Sequence, residues 1–145
     1  MLKMHNPSLD VVVTISEDTP KEWVNQCIRT VDSSAMCAGY PVQVYHVPGY
    51  PGHIGKAMRY GLSKGRAPYI AWVDDDDYVE LDAFSCLRAA MGAEPARICA
   101  RETHLLANGR SFPAQGRHHL TAFRRNAIVG EDLAQYPAVP NVALH

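Results

Sequence analysis

Four consecutive aspartates, Asp74–Asp77, are the residues whose type and spacing most directly indicate chemistry in this sequence. We call them the acidic run. Four carboxylates so close together repel one another, and burying one of them unpaired is costly. Hard divalent cations such as Mg²⁺ and Mn²⁺ take oxygen ligands, which they usually share with a phosphate-bearing substrate. Because residues two apart on extended backbone face the same side, Asp74 with Asp76, or Asp75 with Asp77, is predicted to converge on one ion. The alternative is a solvated acidic turn that caps the following helix.

The residues directly before the acidic run predict the element that positions it. Tyr69–Val73 carries no formal charge and has high β-propensity, and the lack of polar alternation predicts a strand buried on both faces. Two further apolar runs, 10–16 and 42–47, predict strands, and apolar residues at helical spacing predict helices over 20–35 and 53–64. This alternating order of strands and helices predicts a parallel sheet covered by helices.

Such a sheet determines where the acidic run must lie. Open α/β sheets bind their ligands beyond the carboxyl ends of the strands. Ser16–Asp18, Pro48–Gly52 and Asp74–Asp77 each follow or close a predicted strand. We therefore expect these three segments to gather at one rim of the sheet, with the acidic run in a binding cleft.

The start of the first helix carries its own signals. Thr19 is predicted to be the N-cap, Pro20 suits the first helical position, and Glu22 completes a capping box. Trp23 and Cys27 begin an apolar stripe at helical spacing. We interpret Trp23 as a core residue rather than as a stacking platform.

The second half of the chain has shorter elements. A helix is predicted over 81–91, followed by a hairpin whose turn is Asn108-Gly109, a type I′ signal. A further strand is predicted over 118–123, and a short helix over 124–129.

Length and composition describe one ordinary globular domain. The 145 residues are 47% hydrophobic and 20% charged, which suits one domain with its own core. The net charge of −1 excludes an overall attraction to nucleic acid or to anionic lipid. Cysteines 27, 37, 86 and 99 have no metal-ligand spacing, so buried reduced thiols in an intracellular protein are expected. No apolar run approaches the ~20 residues of a membrane helix and no signal peptide is visible, so we expect a cytoplasmic protein.

Several segments in order resemble the nucleotide-sugar glycosyltransferases of the GT-A fold, in particular family 2. The matching segments are Gly55–Leu62, Ala67–Asp77, Ala122–Arg125 and Glu131-Asp132. The resemblance implies an α/β fold of the GT-A (Rossmann-like) type: an open, mostly parallel sheet flanked by helices, with a C-terminal hairpin region. It also implies a single domain over 1–145. Residues 1–95 would form its nucleotide-sugar and metal-binding half, and residues 96–145 its acceptor-side half.

The resemblance implies a metal site. Asp74 and Asp76 fall on the family's DxD positions, which implies Mn²⁺ or Mg²⁺ bound by Asp74, Asp76 and Asp77. Some relatives of this fold add a late histidine, and His119, or its neighbour His118, would take that place. The alternative is that this histidine is a partly exposed structural residue.

The resemblance also implies a donor-binding site and a general base for catalysis. The expected donor is a nucleoside-diphosphate sugar, with a UDP-sugar favoured, and the acceptor is a glycan, a lipid carrier or a modified nucleic acid. The implied donor-binding residues are Ser16, Asp18, Lys56, Arg59, Asp74, Asp75 and Arg124. Asp132, beside Glu131, falls where the family carries its general base, which implies inversion at the anomeric carbon. The alternative for this pair is an exposed turn or N-cap after Gly130.

The sequence differs from the family pattern in one segment, and two other functions are alternatives to glycosyl transfer. His46–Gly49 stands where many members carry an Asp-Asp-Gly-Ser segment that contacts the nucleotide. Asp18 or the Pro/Gly loop would therefore contact the nucleobase of the donor instead. A nucleotidyltransferase of sugar-nucleotide synthesis uses a similar sheet, but Thr14–Asp18 lacks the Gly-rich, basic signature expected after its first strand. The third hypothesis is a non-catalytic module that binds a nucleotide or a cation.

Overall fold

The fold is built on three parallel strands, two of which are short runs rich in β-branched residues. In the computed structural model, residues 8–49, 54–99, 103–105, 110–113 and 120–128 are described. The elements in chain order are β1 Leu9–Ile15, α1 Lys21–Met36, β2 Val42–Pro48, α2 Ile54–Leu62, β3 Tyr69–Asp74, α3 Ala83–Met91, β4 Arg97–Cys99, β5 Thr103–Leu105, β6 Ser111–Pro113, β7 Thr121–Arg124 and a 3₁₀ helix at Arg125–Ala127.

Five of these strands form one mixed sheet in the order β2-β1-β3-β7-β4. β1 pairs in parallel with both β2 and β3, whereas β7 runs antiparallel to both β3 and β4. β5 and β6 pair antiparallel in a separate two-stranded sheet. The predicted α/β architecture, an open and mostly parallel sheet flanked by helices, is thus confirmed.

Helices cover both faces of the sheet, which explains the absence of polar alternation in the central strands. Alternate residues of a strand point to opposite faces. Val11 and Val13 of β1 belong to a core cluster that includes residues of α1 and α3, and Val12 belongs to a second cluster that includes Met58 of α2. All five residues of Tyr69–Val73 are buried, as predicted for a strand with both faces covered.

The register of the parallel strands brings their carboxyl ends to one rim. Ile15 pairs with Pro48, and Thr14 pairs with Asp74. The backbone N–H of Gly49 donates to the carbonyl oxygen of Ile15 at 2.7 Å. The predicted gathering of three segments is therefore confirmed for Ser16–Asp18, Pro48–Gly49 and Asp74–Asp77, while 50–52 lies outside the described residues.

The start of α1 differs from the prediction in two ways. The N-cap is Pro20 and no side chain caps the helix, so the predicted capping box is wrong. Trp23 is 53% exposed, so its assignment to the core is also wrong. The physical reason is that the first turn of α1 lies at the rim where β1 ends, and fully buried positions begin one turn later, at Cys27.

The other corrections are smaller. All four cysteines are free, as predicted, but only Cys27 is buried. The short helix predicted over 124–129 is a 3₁₀ turn, because β7 continues to Arg124. The predicted hairpin turn Asn108-Gly109 lies outside the described residues. Among the described residues, no helix is both long and apolar enough to cross a bilayer.

Candidate active site at the carboxyl end of β3

Three carboxylates converge where the central strand ends. β3 closes at Asp74, and the backbone N–H of Asp77 donates to the carbonyl oxygen of Asp74 at 3.1 Å, which folds the acidic run into a turn. One carboxylate oxygen each from Asp74, Asp76 and Asp77 lies within 4.8 Å of the others. We call these three residues the carboxylate cluster. Asp74 and Asp76 are exposed and Asp77 is half-buried, so the cluster faces solvent at the rim.

The backbone beneath the carboxylate cluster is held by neighbouring elements. The hydroxyl of Thr14 on β1 donates to Oδ1 of Asp74 at 3.4 Å. The buried thiol of Cys27 on α1 donates to the carbonyl oxygen of Asp74 at 3.3 Å. The backbone N–H of Val79 donates to the hydroxyl of Thr30, also on α1, at 3.2 Å. The turn that carries the cluster is therefore fixed from both β1 and α1.

Asp75 is oriented differently from the other three aspartates. It is 5% exposed, although both of its chain neighbours are exposed. Its Oδ2 accepts a hydrogen bond from the backbone N–H of Ser16 at 2.7 Å, and its Oδ1 accepts one from the hydroxyl of Thr19 at 3.0 Å. The carboxylate thus joins the end of β3 to the loop between β1 and α1. This contact also explains why Thr19 does not cap the helix.

The electrostatics of the site show that the acidic run acts as a group. Burial is the largest cause that raises the pKa of the Cys27 thiol to about 12, and the negative charges of Asp77, Asp75, Asp74 and Asp76 contribute to the same rise in that order. The thiol therefore stays protonated and serves as a donor. The same concentration of negative charge attracts cations to the rim.

The other predicted donor-binding residues lie in the β1–α1 loop at the same rim or on α2, the helix that follows β2 in the chain. Asp18 is exposed on the β1–α1 loop, and its backbone N–H donates to the hydroxyl of Ser16 at 3.3 Å. Lys56 and Arg59 are exposed on α2, the helix that follows β2. The structure therefore brings Ser16 into contact with Asp75 of the acidic run and places Asp18 beside Ser16.

Arg124 lies at the opposite end of β3 from the carboxylate cluster. It pairs with Tyr69, the first residue of β3, whereas the carboxylate cluster begins at the last residue of that strand. Five steps of about 3.3 Å per residue separate the two ends by roughly 16 Å. Nη1 of Arg124 donates to the carbonyl oxygen of Glu94 at 2.5 Å. The structure therefore does not support the predicted phosphate contact from Arg124.

The neighbouring Arg125, which in the sequence is only part of the Phe-Arg-Arg motif, has a structural role. Nη2 of Arg125 pairs with the buried carboxylate of Asp10 at 2.6 Å. This ion pair also lies at the end of the parallel strands opposite the carboxylate cluster. The available signal was Asp10 itself, because a charge at the head of an apolar strand requires a partner.

Three predicted site residues lie outside the described residues. They are His119, the predicted metal ligand, and Glu131 with Asp132, the predicted base and its neighbour. Their roles remain predictions from the resemblance.

Comparison with known proteins identifies the fold but no family. No family model matches the chain, and no curated protein matches its sequence. Among solved structures, S. aureus TarS residues 1–349 superposes with a TM-score of 0.60 at 11% identity, covering 94% of this chain and 56% of that one. A second TarS structure superposes with a TM-score of 0.54 at 13% identity, covering 88% of this chain and 32% of that one. The chain thus has a glycosyltransferase-like fold of the GT-A type and spans about half the length, or less, of these neighbours.

Proposed function

We propose that this protein is a metal-dependent, inverting glycosyltransferase that moves a sugar from a nucleoside-diphosphate sugar to an acceptor hydroxyl. The observation that carries the proposal is the convergence of Asp74, Asp76 and Asp77 within 4.8 Å at the carboxyl end of β3. In open α/β sheets this end of the strands is where ligands bind. The GT-A-like fold supports the same reaction class.

The carboxylate cluster fits a divalent cation in donor chemistry and in spacing. Mg²⁺ takes oxygen ligands at about 2.0–2.1 Å, so ligand oxygens around one ion lie roughly 3–4 Å apart. The oxygens of Asp74, Asp76 and Asp77 lie within 4.8 Å of one another, so binding one ion would require them to move closer together. These residues would hold Mn²⁺ or Mg²⁺, with His119 proposed as a further ligand. A bound ion supplies positive charge that stabilises the leaving diphosphate.

The chain's own residues bind the donor and move one proton. Ser16, Asp18, Lys56 and Arg59 are proposed to contact the nucleoside diphosphate. The acceptor oxygen bonds to the anomeric carbon while the bond from that carbon to the diphosphate oxygen breaks. Asp132 takes the acceptor's hydroxyl proton, and the nucleoside diphosphate leaves. One displacement of this kind inverts the anomeric configuration.

The substrates follow from the same proposal. The donor is proposed to be a UDP-sugar, bound by residues 1–95. Residues 96–145 are proposed to form the acceptor side, for a glycan, a lipid carrier or a modified nucleic acid.

The first test measures thermal stability of the purified protein with UDP, GDP, ADP, CDP or dTDP, each in Mn²⁺ or in chelator. A ligand that binds only the native state stabilises it by about 2.7 kcal/mol when present at 100 times its dissociation constant. We expect a metal-dependent rise of the midpoint for one nucleotide, lost in Asp76→Ala. Glu80→Ala is the matched control, because Glu80 is exposed three residues beyond the carboxylate cluster and carries the same charge.

Two results would contradict the proposal. The first is no response to any nucleotide in Mn²⁺. The second is an equal response in the Asp76→Ala and wild-type proteins. Release of the nucleoside diphosphate from the matching sugar donor then separates a transferase from a non-catalytic module, which would bind the nucleotide without turnover.

A further inference from the structure

The contacts of Asp75 set it apart from the residues that would bind metal. Its two carboxylate oxygens accept hydrogen bonds from two donors on another segment, the backbone N–H of Ser16 at 2.7 Å and the hydroxyl of Thr19 at 3.0 Å. These partners are 59 and 56 positions earlier in the chain. The side chain is turned away from the exposed Asp74 and Asp76 and is itself 5% exposed.

This burial would be unfavourable without a compensating contact. A carboxylate between charged neighbours is repelled by them, and removing it from water adds a desolvation cost. Hydrogen bonds from a backbone N–H and a hydroxyl to a charged acceptor offset that cost. The conformation of Asp75 therefore depends on the β1–α1 loop, and the conformation of the loop depends in turn on Asp75.

The last residues of β1 and the loop that follows it are both held against the end of β3. Thr14 and Asp74 pair in register on β1 and β3, with a hydrogen bond of 3.4 Å between their side chains. Asp75, the next residue, projects to the other side and contacts Ser16 and Thr19. Two successive residues of the strand end thus contact β1 and the loop that follows it: Asp74 contacts β1, and Asp75 contacts the loop.

We propose that Asp75 is a positioning residue that holds the β1–α1 loop, with Ser16 and Asp18, in register with the carboxylate cluster. The inference rests on the proposed function, since the ligand so positioned is the nucleoside diphosphate of the donor. The loop contacts one part of that ligand and the cluster binds the cation on its phosphates. Asp75 sets the distance between these two contacts without touching the donor itself.

The test compares Asp75→Ala, Asp75→Asn and Thr19→Val with the wild-type protein. Loss of both hydrogen bonds in Asp75→Ala is expected to raise KM for the sugar donor about 10- to 100-fold, with a smaller change in kcat. The amide oxygen of Asn still accepts from the Ser16 N–H, so Asp75→Asn stays within about 3-fold of wild type, and Thr19→Val lies between the two. The Mn²⁺ concentration for half-maximal activity rises only slightly in Asp75→Asn, because the variant loses a neighbouring negative charge but no metal ligand. Glu17→Ala, an exposed change on the same loop, is the matched control.

Hydrogen exchange of the ligand-free proteins provides a readout that does not depend on activity. The Ser16 amide is expected to exchange at least about tenfold faster in Asp75→Ala than in wild type, while the amides of Val11–Val13 change less. Exchange at Ser16 that is unchanged in Asp75→Ala would overturn the positioning role. So would faster exchange with an unchanged KM. A loss of metal dependence in Asp75→Asn would identify Asp75 as a ligand instead.

The kinetic and exchange measurements also distinguish failure of the positioning role of Asp75 from failure of the proposed function. If the wild-type protein binds no nucleotide, the proposed function fails, and the donor-positioning role fails with it. The exchange measurement would then still decide whether Asp75 holds the loop. If the wild-type protein turns over donor and Asp75→Ala does so with wild-type KM, only the inference fails.

Discussion

Nη2 of Arg125 lies 2.6 Å from Oδ2 of Asp10, although the two residues are 115 positions apart in the chain. The same carboxylate oxygen accepts the backbone N–H of Ala67 at 2.9 Å. Arg125 also donates to the carbonyl oxygens of Ala67, at 2.8 Å, and of Leu62, at 2.6 Å. The ion pair thus connects the start of β1, the α2–β3 connection and the 3₁₀ helix that follows β7. All three lie at the end of the parallel strands opposite the carboxylate cluster.

Removal of Arg125 should strongly destabilise the fold. The side chain of Asp10 is 4% exposed and that of Arg125 is 19% exposed. Breaking a buried pair from one side typically costs about 3–5 kcal/mol, because a charge is left without its partner. We expect Arg125→Met to lower the free energy of unfolding by about 3 kcal/mol, measured by urea denaturation.

Two controls make this prediction specific. Arg124→Met alters the adjacent arginine, whose Nη1 donates to a backbone carbonyl near the surface, and should cost much less. The double variant Asp10→Asn/Arg125→Met should cost less than the two single changes added together, as expected for residues in direct contact. Additive costs would show that the pair does not act as a unit.

A methyl group at Gly61 should be destabilising although alanine favours helices. A Cβ built there would lie 2.6 Å from Cγ1 of Val12 and 3.0 Å from Nε1 of Trp72, both of which are buried. Overpacking of this kind costs about 1–3 kcal/mol, against a gain in helix propensity of about 1 kcal/mol. Thermal unfolding of Gly61→Ala should show the net loss, and the double variant Gly61→Ala/Val12→Ala should lose less stability than the two single changes added together.

Gly92 provides the matched alanine substitution. Its φ is −60°, and the nearest atom to a built Cβ is 3.7 Å away. Gly92→Ala should therefore be neutral or stabilise the protein by about 0.4–1 kcal/mol. If both alanine variants had the same stability, close packing of α2 on β1 would not be the cause.

The cysteines should differ in reactivity, and the difference has a consequence at alkaline pH. Cys37, Cys86 and Cys99 are exposed and should be alkylated by iodoacetamide at pH 8, whereas buried Cys27 should react only after unfolding, as peptide mass spectrometry would show. Burial, together with the negative charges of the acidic run, raises the pKa of Cys27 from 9.0 to about 12. Between these values the folded protein keeps a proton that the unfolded chain loses, so stability falls as pH rises from about 9 to 12.

A variant isolates the contribution of this thiol. Cys27→Ala should lose less stability between pH 9 and 12 than the wild type does, when each is compared with its own value at pH 8. Part of the slope will remain, because burial also raises the pKa of Tyr40 to about 12 from 10.0. Equal slopes in both proteins would show that Cys27 does not titrate as its surroundings indicate.

The proposed general base can be tested without knowing its position. A base contributes about 10²–10⁴ in rate, so Asp132→Asn should lower kcat by that factor. Metal-dependent stabilisation by the nucleotide should stay unchanged, because the base acts on the acceptor. Glu131→Gln is the neighbouring control and should be affected less. Wild-type turnover in Asp132→Asn would assign the proton transfer to another group.

Much of the architecture follows from local patterns in the sequence. The apolar runs that became β1, β2 and β3 and the helical spacing in α1 and α2 are short-range signals of burial and periodicity. The order of these elements also predicts the shared rim, because parallel strands joined by helices place their carboxyl ends together. The acidic run follows directly after Val73 in the chain, so its place at this rim required no long-range information.

The roles of individual polar residues were decided only by the tertiary structure. Four adjacent aspartates are equivalent in the sequence, yet Asp75 alone turns inward, because Ser16 and Thr19 lie beside it in the folded chain. The two arginines at 124 and 125 are likewise equivalent until β7 pairs with β3 and places one of them against Asp10. A buried charge is positioned by its partner, and here the partners are 56 to 115 positions away. Local periodicity cannot encode contacts over such distances, whereas the folded sheet brings these residues together.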